Sequence, residues 1–260
     1  MSNLDFTTVV ESHDAWVMTP TGAEVVETDE YRIARFPDRF PEPLRVQWVR
    51  TSRPAAEVLD EVIARASAYA LPAAQVHVKL SAPDGFIDAL RNRGATRQAT
   101  SDALAAPLPW RTGSTPCRPI KVRWRTETET ARDANTVGRA VFGGGESSDA
   151  ELAQRATADR ESIASGAGGA VVAYVDDRPV GVAGVHVVAG TARMWGGGVV
   201  KQFRGRGLYR ALVDTRMEYA AAHGATSAIA QGNVDTSSPI LQRLGFASYG
   251  QEYSYLLPIG

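Results

Sequence analysis

The segment Lys201-Gln202-Phe203-Arg204-Gly205-Arg206-Gly207-Leu208-Tyr209-Arg210 sets two glycines one residue apart, among four basic side chains, directly before a run with helical spacing. Glycine lets the backbone turn through conformations closed to other residues and approach a ligand closely. The first amides of the helix that follows lack intrahelical partners and carry the positive end of the helix dipole. These residue types predict a phosphate cradle, with Lys201, Arg204, Arg206 and Arg210 as its cations. Two other phosphate loops are excluded by what comes next. A Walker A loop needs Lys-Ser/Thr after its second glycine, where this chain has Leu208-Tyr209. A dinucleotide fingerprint needs a third small residue where Arg210 stands, and a parallel βαβ unit instead of a preceding hairpin.

Side chains able to move protons are scarce around that loop. The flanking strands carry Trp195, three glycines and Gln231, but no carboxylate. Glu146 follows Gly143-Gly144-Gly145 in a loop between two helices and is the candidate general base; the competing reading is a solvated loop acid near a helix N-terminus. His186 titrates near neutrality or serves as a structural histidine on an apolar strand. Cys117 is the single cysteine, so no intramolecular disulfide can form, and its place in a proline-rich stretch discounts it as a nucleophile.

The elements that must position these residues follow from periodicity. Alternation predicts strands over Ile120–Thr126, Gly169–Val175, Pro179–Val188, Thr191–Val200 and Ser227–Gln231, with Asp176-Asp177-Arg178 as a short hairpin connection. Helical spacing predicts helices over Thr130–Phe142, Ser148–Ser165, from Leu208 to a cap at Gly224, and over Ser237–Leu244. An aromatic strand, Ala247–Leu257, closes the chain. Prolines and small polar residues between Pro107 and Pro119 mark a linker, giving domains 1–110 and 120–260 with the linker at 111–119.

The first domain holds a worn copy of the second: a helix over Pro54–Ala70, a strand over Gln75–Leu80, and a helix over Phe86–Arg93 ending in Gly94. Gly94 lies 151 positions before Gly245, and at that offset Arg53-Pro54-Ala55-Ala56 stands opposite Arg204-Gly205-Arg206-Gly207. The copy has lost both glycines and is not expected to cradle phosphate.

The 260 residues suit two domains, and 44% hydrophobic with 22% charged residues is the composition of a soluble globular chain. With 28 Lys and Arg against 29 Asp and Glu, there is no global attraction for nucleic acid, so any anion site is local. The apolar stretch Val180–Ala192 is too short for a membrane span and is broken by glycines and His186. The start Met1-Ser2-Asn3-Leu4-Asp5 lacks a signal peptide's basic and apolar regions, so a cytoplasmic location is expected.

The run from Val199 to Leu212 resembles the signature of the GNAT superfamily of N-acetyltransferases: a strand ending in valine, then Gln/Arg-x-x-Gly-x-Gly/Ala, then a helix. Asn233 and Ile240-Leu241-Gln242-Arg243-Leu244-Gly245-Phe246 are similar to the family's closing elements, in the same order. The resemblance covers residues 120–258, and the N-terminal half resembles the degenerate copy of tandem members. It implies an α/β fold with a mixed sheet, a C-terminal GNAT domain and a smaller degenerate GNAT-like N-terminal domain. It implies acetyl-CoA as co-substrate, with no metal, and direct attack by an amine in a ternary complex. The backbone of Val199 and Val200 would then hold the pantetheine arm, and the amides of Arg204, Gly205, Arg206, Gly207, Leu208 and Tyr209 the pyrophosphate. Asn233, with Ser237 beside it, would contact the coenzyme from the opposite strand, unless Asn233 only shapes the turn that follows. One departure stands out. Where the family commonly has a tyrosine in the closing helix, this chain has Leu241, which leaves the general acid open among Ser237, Tyr249 and Tyr253. The expected acceptor is a primary amine of a small molecule, with protein or peptide acceptors still open and no nucleic-acid or membrane partner. The competing class is a non-catalytic acyl-CoA-binding or regulatory module.

Overall fold

The computed structural model describes residues 4–38, 40–109, 120–143 and 145–259. Cys117 and the expected linker at 111–119 lie outside the described residues. In chain order the elements are α1 (Phe6–Asp14), β1 (Glu24–Glu27), β2 (Tyr31–Arg35), β3 (Leu44–Val49), α2 (Ala55–Ser67), β4 (Ala73–Val78), α3 (Phe86–Asn92) and β5 (Thr96–Pro107). There follow β6 (Lys121–Trp124), α4 (Thr128–Phe142), α5 (Asp149–Ala164), β7 (Gly168–Val175), β8 (Arg178–Val188) and β9 (Thr191–Val199). The chain ends with α6 (Leu208–Ala222), β10 (Ser227–Asn233), α7 (Ser237–Leu244) and β11 (Ala247–Pro258).

These elements form two compact units. One is built on Ala105–Ala230 and the other on Asp5–Leu104 together with Gln231–Gly260. We call them the cradle unit and the composite unit.

In the cradle unit β6, β7, β8 and β9 run antiparallel in sequence order, and β9 then pairs in parallel with β10. Asp176 and Asp177 take left-handed φ angles of 49° and 57°, the geometry that lets a two-residue turn follow the twist of β7 and β8. On α5, Ser148 and Glu151 complete a capping box, which satisfies two of the helix's otherwise orphaned amides. One sheet face buries Val171, Ala173, Val180, Ala183 and Val199 against Leu208 and Leu212 of α6. The other buries Val172, Tyr174 and Val182 against Ala134 and Val137 of α4. Burying a side chain such as Leu212 contributes about 1.5–3 kcal/mol, enough to seat the start of α6 on the sheet.

In the composite unit β1, β2 and β3 are antiparallel, and β3 pairs in parallel with β4 at Arg45–Gln75 and Val46–Val76. The last strand, β11, pairs antiparallel with β4 from Tyr253–Val78 to Pro258–Ala73. Its Tyr255 and Leu257 are buried in one cluster with Leu44, Val46, Leu59, Val76 and Leu90. The compact units therefore differ from a division into sequence halves at 111–119. In the cradle unit Leu108, just past β5, donates its N–H to the Thr226 carbonyl ahead of β10 at 2.9 Å. The composite unit thus takes its closing strand, β11, from the other half of the sequence. The physical reason is that β4 offers an open antiparallel edge above an apolar floor that the alternating Tyr255 and Leu257 complete.

Candidate functional site

Gly205 and Gly207 have φ angles of 75° and 82°, in the left-handed region, and a Cβ on Gly205 would meet nothing. No side chain caps α6, and the first amide to find a helical acceptor is that of Ala211, on Gly207 C=O at 3.0 Å. Helix geometry therefore leaves the amides of Leu208, Tyr209 and Arg210 pointing out of the N-terminus. Arg206 and Gly207, between and within the two left-handed turns, add to an anion-binding concavity. Arg204 has a different part. Its amide bonds to Lys201 C=O at 3.3 Å and its Nε donates to Val199 C=O at 3.0 Å, so this residue braces the loop instead of offering itself to a ligand. Arg210 lies 3.5 Å from Asp214 one turn on. Of the four expected cations only Arg210 has a carboxylate partner among the described residues; with Arg204 bonded to the Val199 carbonyl, Lys201 and Arg206 are the two left over, Arg206 lying over the Phe203 ring at 5.3 Å.

The parallel pairing of β9 with β10 covers Thr191–Ser227 to Met194–Ala230 and ends there, while β9 runs on to Val199. Beyond Met194 that edge of β9 is open. On the other edge, Val200 donates its N–H to Val180 C=O at 2.9 Å and accepts from Phe203 N–H at 2.9 Å, so both of its backbone groups are spent. This corrects the expectation that Val200 holds a pantetheine arm. Antiparallel neighbours alternate their hydrogen-bonding edges, so the amide of Val199 points to the open side, and its carbonyl does the same when it accepts from Arg204.

Just before Val199 the strand carries a bulge. Val182 faces Gly198 and Gly184 faces Trp195, which sets Gly196 and Gly197 against the single Ala183. Gly196 has φ 59°, as a left-handed bulge residue requires. A Cβ on Gly197 would lie 3.2 Å from the phenol oxygen of Tyr209, and one on Gly198 would lie 2.5 Å from Val141. Gly197 and Gly198 thus let α6 and the end of α4 close on the strand from opposite faces, while Gly196 supplies the left-handed turn. The bulge is braced from within by Arg216 of α6, which is 2% exposed and donates to the carbonyls of Leu212 (2.8 Å) and Gly184 (3.0 Å) and, more weakly, of Trp195 (3.5 Å). Burial pushes its guanidinium down to about 10, still charged at neutral pH. Burial raises the phenol of Tyr209, against the pull of the Arg216 charge nearby.

The remaining expected residues fall elsewhere. The Glu146 side chain is 81% exposed and 3.7 Å from Arg139, the setting of a solvated surface carboxylate and not of a buried proton acceptor. In the composite unit Asn233 accepts at Oδ1 from Asp235 N–H (3.0 Å) and Thr236 Oγ1 (3.2 Å), and donates its N–H to Ser237 Oγ at 2.9 Å. Both side chains build the turn into α7. Leu241 is buried in α7, and Tyr253, partly buried on β11, donates to Gln251 at 3.2 Å. His186 stacks near Trp195 with ring centres 5.3 Å apart. Among the described residues no cluster of three metal-ligating side chains occurs, and no helix is long and apolar enough to cross a membrane.

The worn copy lacks these features. Arg53 Nη1 is held by Glu30 at 2.8 Å and Glu61 at 3.2 Å, and α2 opens on Pro54 with Glu57 in its first turn, a charge that repels phosphate. The bulge and Arg216 escaped sequence reasoning, although both left signals. Consecutive glycines inside a strand mark a bulge, and an arginine four residues beyond buried Leu212 sits on the apolar stripe of its helix.

A mixed sheet that opens on one edge beside a glycine-entered, uncapped helix defines an α/β domain that offers an anion a seat at the helix N-terminus and an extended ligand a strand edge. Residues 140–246 match the acetyltransferase (GNAT) family, whose members use acetyl-CoA as co-substrate. The fold is shared with a GCN5-related N-acetyltransferase from Kribbella flavida at 20% identity, over 97% of this chain and 94% of that one, with TM-score 0.70. A GCN5-related N-acetyltransferase from Sphaerobacter thermophilus is 16% identical over 91% of this chain and 76% of that one, with TM-score 0.66. A tandem GNAT protein from the clavulanic acid biosynthesis pathway, solved without AcCoA, is 16% identical over 96% and 88%, with TM-score 0.65. No curated protein matches the sequence.

Proposed function

We propose that this protein transfers the acetyl group of acetyl-CoA to a primary amine of a small molecule by direct attack while both substrates are bound. The observation that carries this reading is the open edge of β9, with the free Val199 amide, leading straight from the uncapped start of α6. Pyrophosphate at the Gly205–Arg210 amides and a pantetheine arm along Val199 would bring the thioester to the bulge. There the amine nitrogen forms a bond to the carbonyl carbon as the carbon–sulfur bond breaks; the nitrogen loses a proton and the departing thiolate gains one. A backbone amide of the opened strand polarises the carbonyl oxygen. Tyr209 takes the place that Leu241 cannot fill, because its phenol has no hydrogen-bond partner among the described residues and stands over Gly197 at the bulge.

The test is thiol release from acetyl-CoA across a panel of amines, alongside coenzyme binding by calorimetry. Transfer to one or more amines is expected, with Tyr209→Phe lowering kcat roughly 10-fold or more while leaving coenzyme affinity unchanged. Tight coenzyme binding with no thiol release for any amine would make the protein a binding module instead.

A further inference from the structure

We infer that Arg193 and Trp195 form the acceptor subsite, and that the acceptor is an amine that also carries a carboxylate. The inference rests on the acetyl-transfer reading above and names its substrate class.

Arg193 and Trp195 alternate along β9 and therefore project from the same sheet face. That face is the one away from α6. Trp195 lies opposite Gly184, and a Cβ there would come within 2.2 Å of the indole; Gly184 is two residues on from Val182, which packs with Val137 of α4. An arm entering at Val199 cannot pass the paired residues Met194 and Ala230, so its reactive end stops beside Trp195. An acceptor approaching the thioester from the face opposite α6 meets these two side chains.

Both have hydrogen bonds unmade. Trp195 Nε1 and Arg193 Nε are buried with no hydrogen-bond partner, and the Arg193 guanidinium has no ion pair among the described residues. Asp159, the acid whose field reaches the neighbouring His186, is already held by Arg125 at 2.8 and 3.1 Å and by Ala170 N–H at 2.9 Å. Indole and guanidinium can only donate, so whatever satisfies them must accept, and beside an uncompensated arginine a carboxylate satisfies both charge and geometry. Buried donors left unmade are rare enough in folded proteins to need such a partner. A primary amine on the same molecule would then sit within reach of the bulge.

The experiment compares amino acids and ω-amino acids with their own carboxamides, by calorimetric titration into the full-length protein saturated with coenzyme A. The acid of a pair is expected to bind roughly 10-fold or more tighter than its amide. Arg193→Gln and Trp195→Phe should each weaken the acid by about that factor, leave the amide within about twofold, and leave coenzyme affinity unchanged. Trp195→Phe removes only the N–H and keeps a ring over Gly184, so it stands in if the arginine variant folds poorly. Equal binding of acid and amide, or no binding of either, overturns the inference, as does equal weakening of both members, which is the outcome if ordered water satisfies these donors. Thiol release on the same pairs is a separate readout. Acid-selective binding without release would leave the subsite standing and remove the transferase reading.

Discussion

At the scale of single residues, the proposed cradle at Gly205 to Arg210 draws chiefly on backbone amides, with the Arg206 charge added to them. Gly205→Ala isolates this, since a Cβ there meets no neighbour and the only cost is the left-handed conformation at φ 75°. That cost is about 1–2 kcal/mol, so coenzyme affinity should fall roughly 5- to 30-fold with little change in thermal stability beyond that strain, as calorimetry and a melting curve would show. Arg206→Gln should weaken coenzyme binding and flatten its dependence on salt, whereas Arg204→Gln should act through the loop's own structure, because Arg204 is bonded to Val199. Glu146→Gln is expected to leave kcat/KM within about twofold, in keeping with an exposed carboxylate paired to Arg139. A large fall in rate with a shifted pH–rate profile would restore it as the base.

At the scale of elements, the bulge on β9 is where helices and strand become one device. Gly197 and Gly198 admit α6 and α4 to close range, and the Arg216 guanidinium occupies the carbonyls that the irregular pairing leaves over. Two effects oppose each other in Arg216→Met: a buried charge is removed, but the Gly184 and Trp195 carbonyls lose their donor. The second should win, since three carbonyls already solvate the charge. A loss of about 1–3 kcal/mol in denaturant unfolding is expected, together with a fall in acetyl transfer larger than the loss in coenzyme affinity. Gly198→Ala should destabilise as well, because its Cβ would lie 2.5 Å from Val141 and 2.9 Å from Phe142.

At the scale of the whole molecule, the composite unit holds a buried polar cluster that ties its stability to pH. His13 is fully buried, with Nε2 3.2 Å from the Leu104 carbonyl and the Lys79 and Glu252 side chains close by. Burial first, and then the Lys79 charge, push His13 down to about 4. Between about 4 and 6.5 the unfolded chain binds a proton there that the folded chain does not. Stability from this group is therefore present above pH 6.5 and is lost as pH falls toward 4, by up to about 3 kcal/mol. Glu252, raised chiefly by burial, acts in the opposite direction, so the clean measurement is the difference between wild type and His13→Gln. Denaturation midpoints of the variant should fall less steeply over that pH range. Deleting β11 should expose β4, measured by hydrogen exchange at Val76 and Val78, because those amides lie along its pairing.

Much of the fold was legible locally, and the reasons are local. Ser148 announced the start of α5, Asp176-Asp177 a tight turn, and the spacing of Leu208 and Leu212 the buried face of α6, since capping, turn geometry and amphipathicity are settled within a few residues. The left-handed turns at Gly205 and Gly207 ahead of α6 were likewise legible, and the proposed phosphate cradle rests on them. Tertiary structure alone decided which side chains face it. It spent Val200 and Arg204 on internal bonds, turned Asn233 and Ser237 to each other, left Glu146 in solvent, and brought Tyr209, Arg193 and Trp195 around one bulge. It also gave the composite unit a closing strand, β11, from the far half of the chain. Strand partners and unmade hydrogen bonds depend on which distant edges and carbonyls are already taken, and no run of neighbouring residues carries that information.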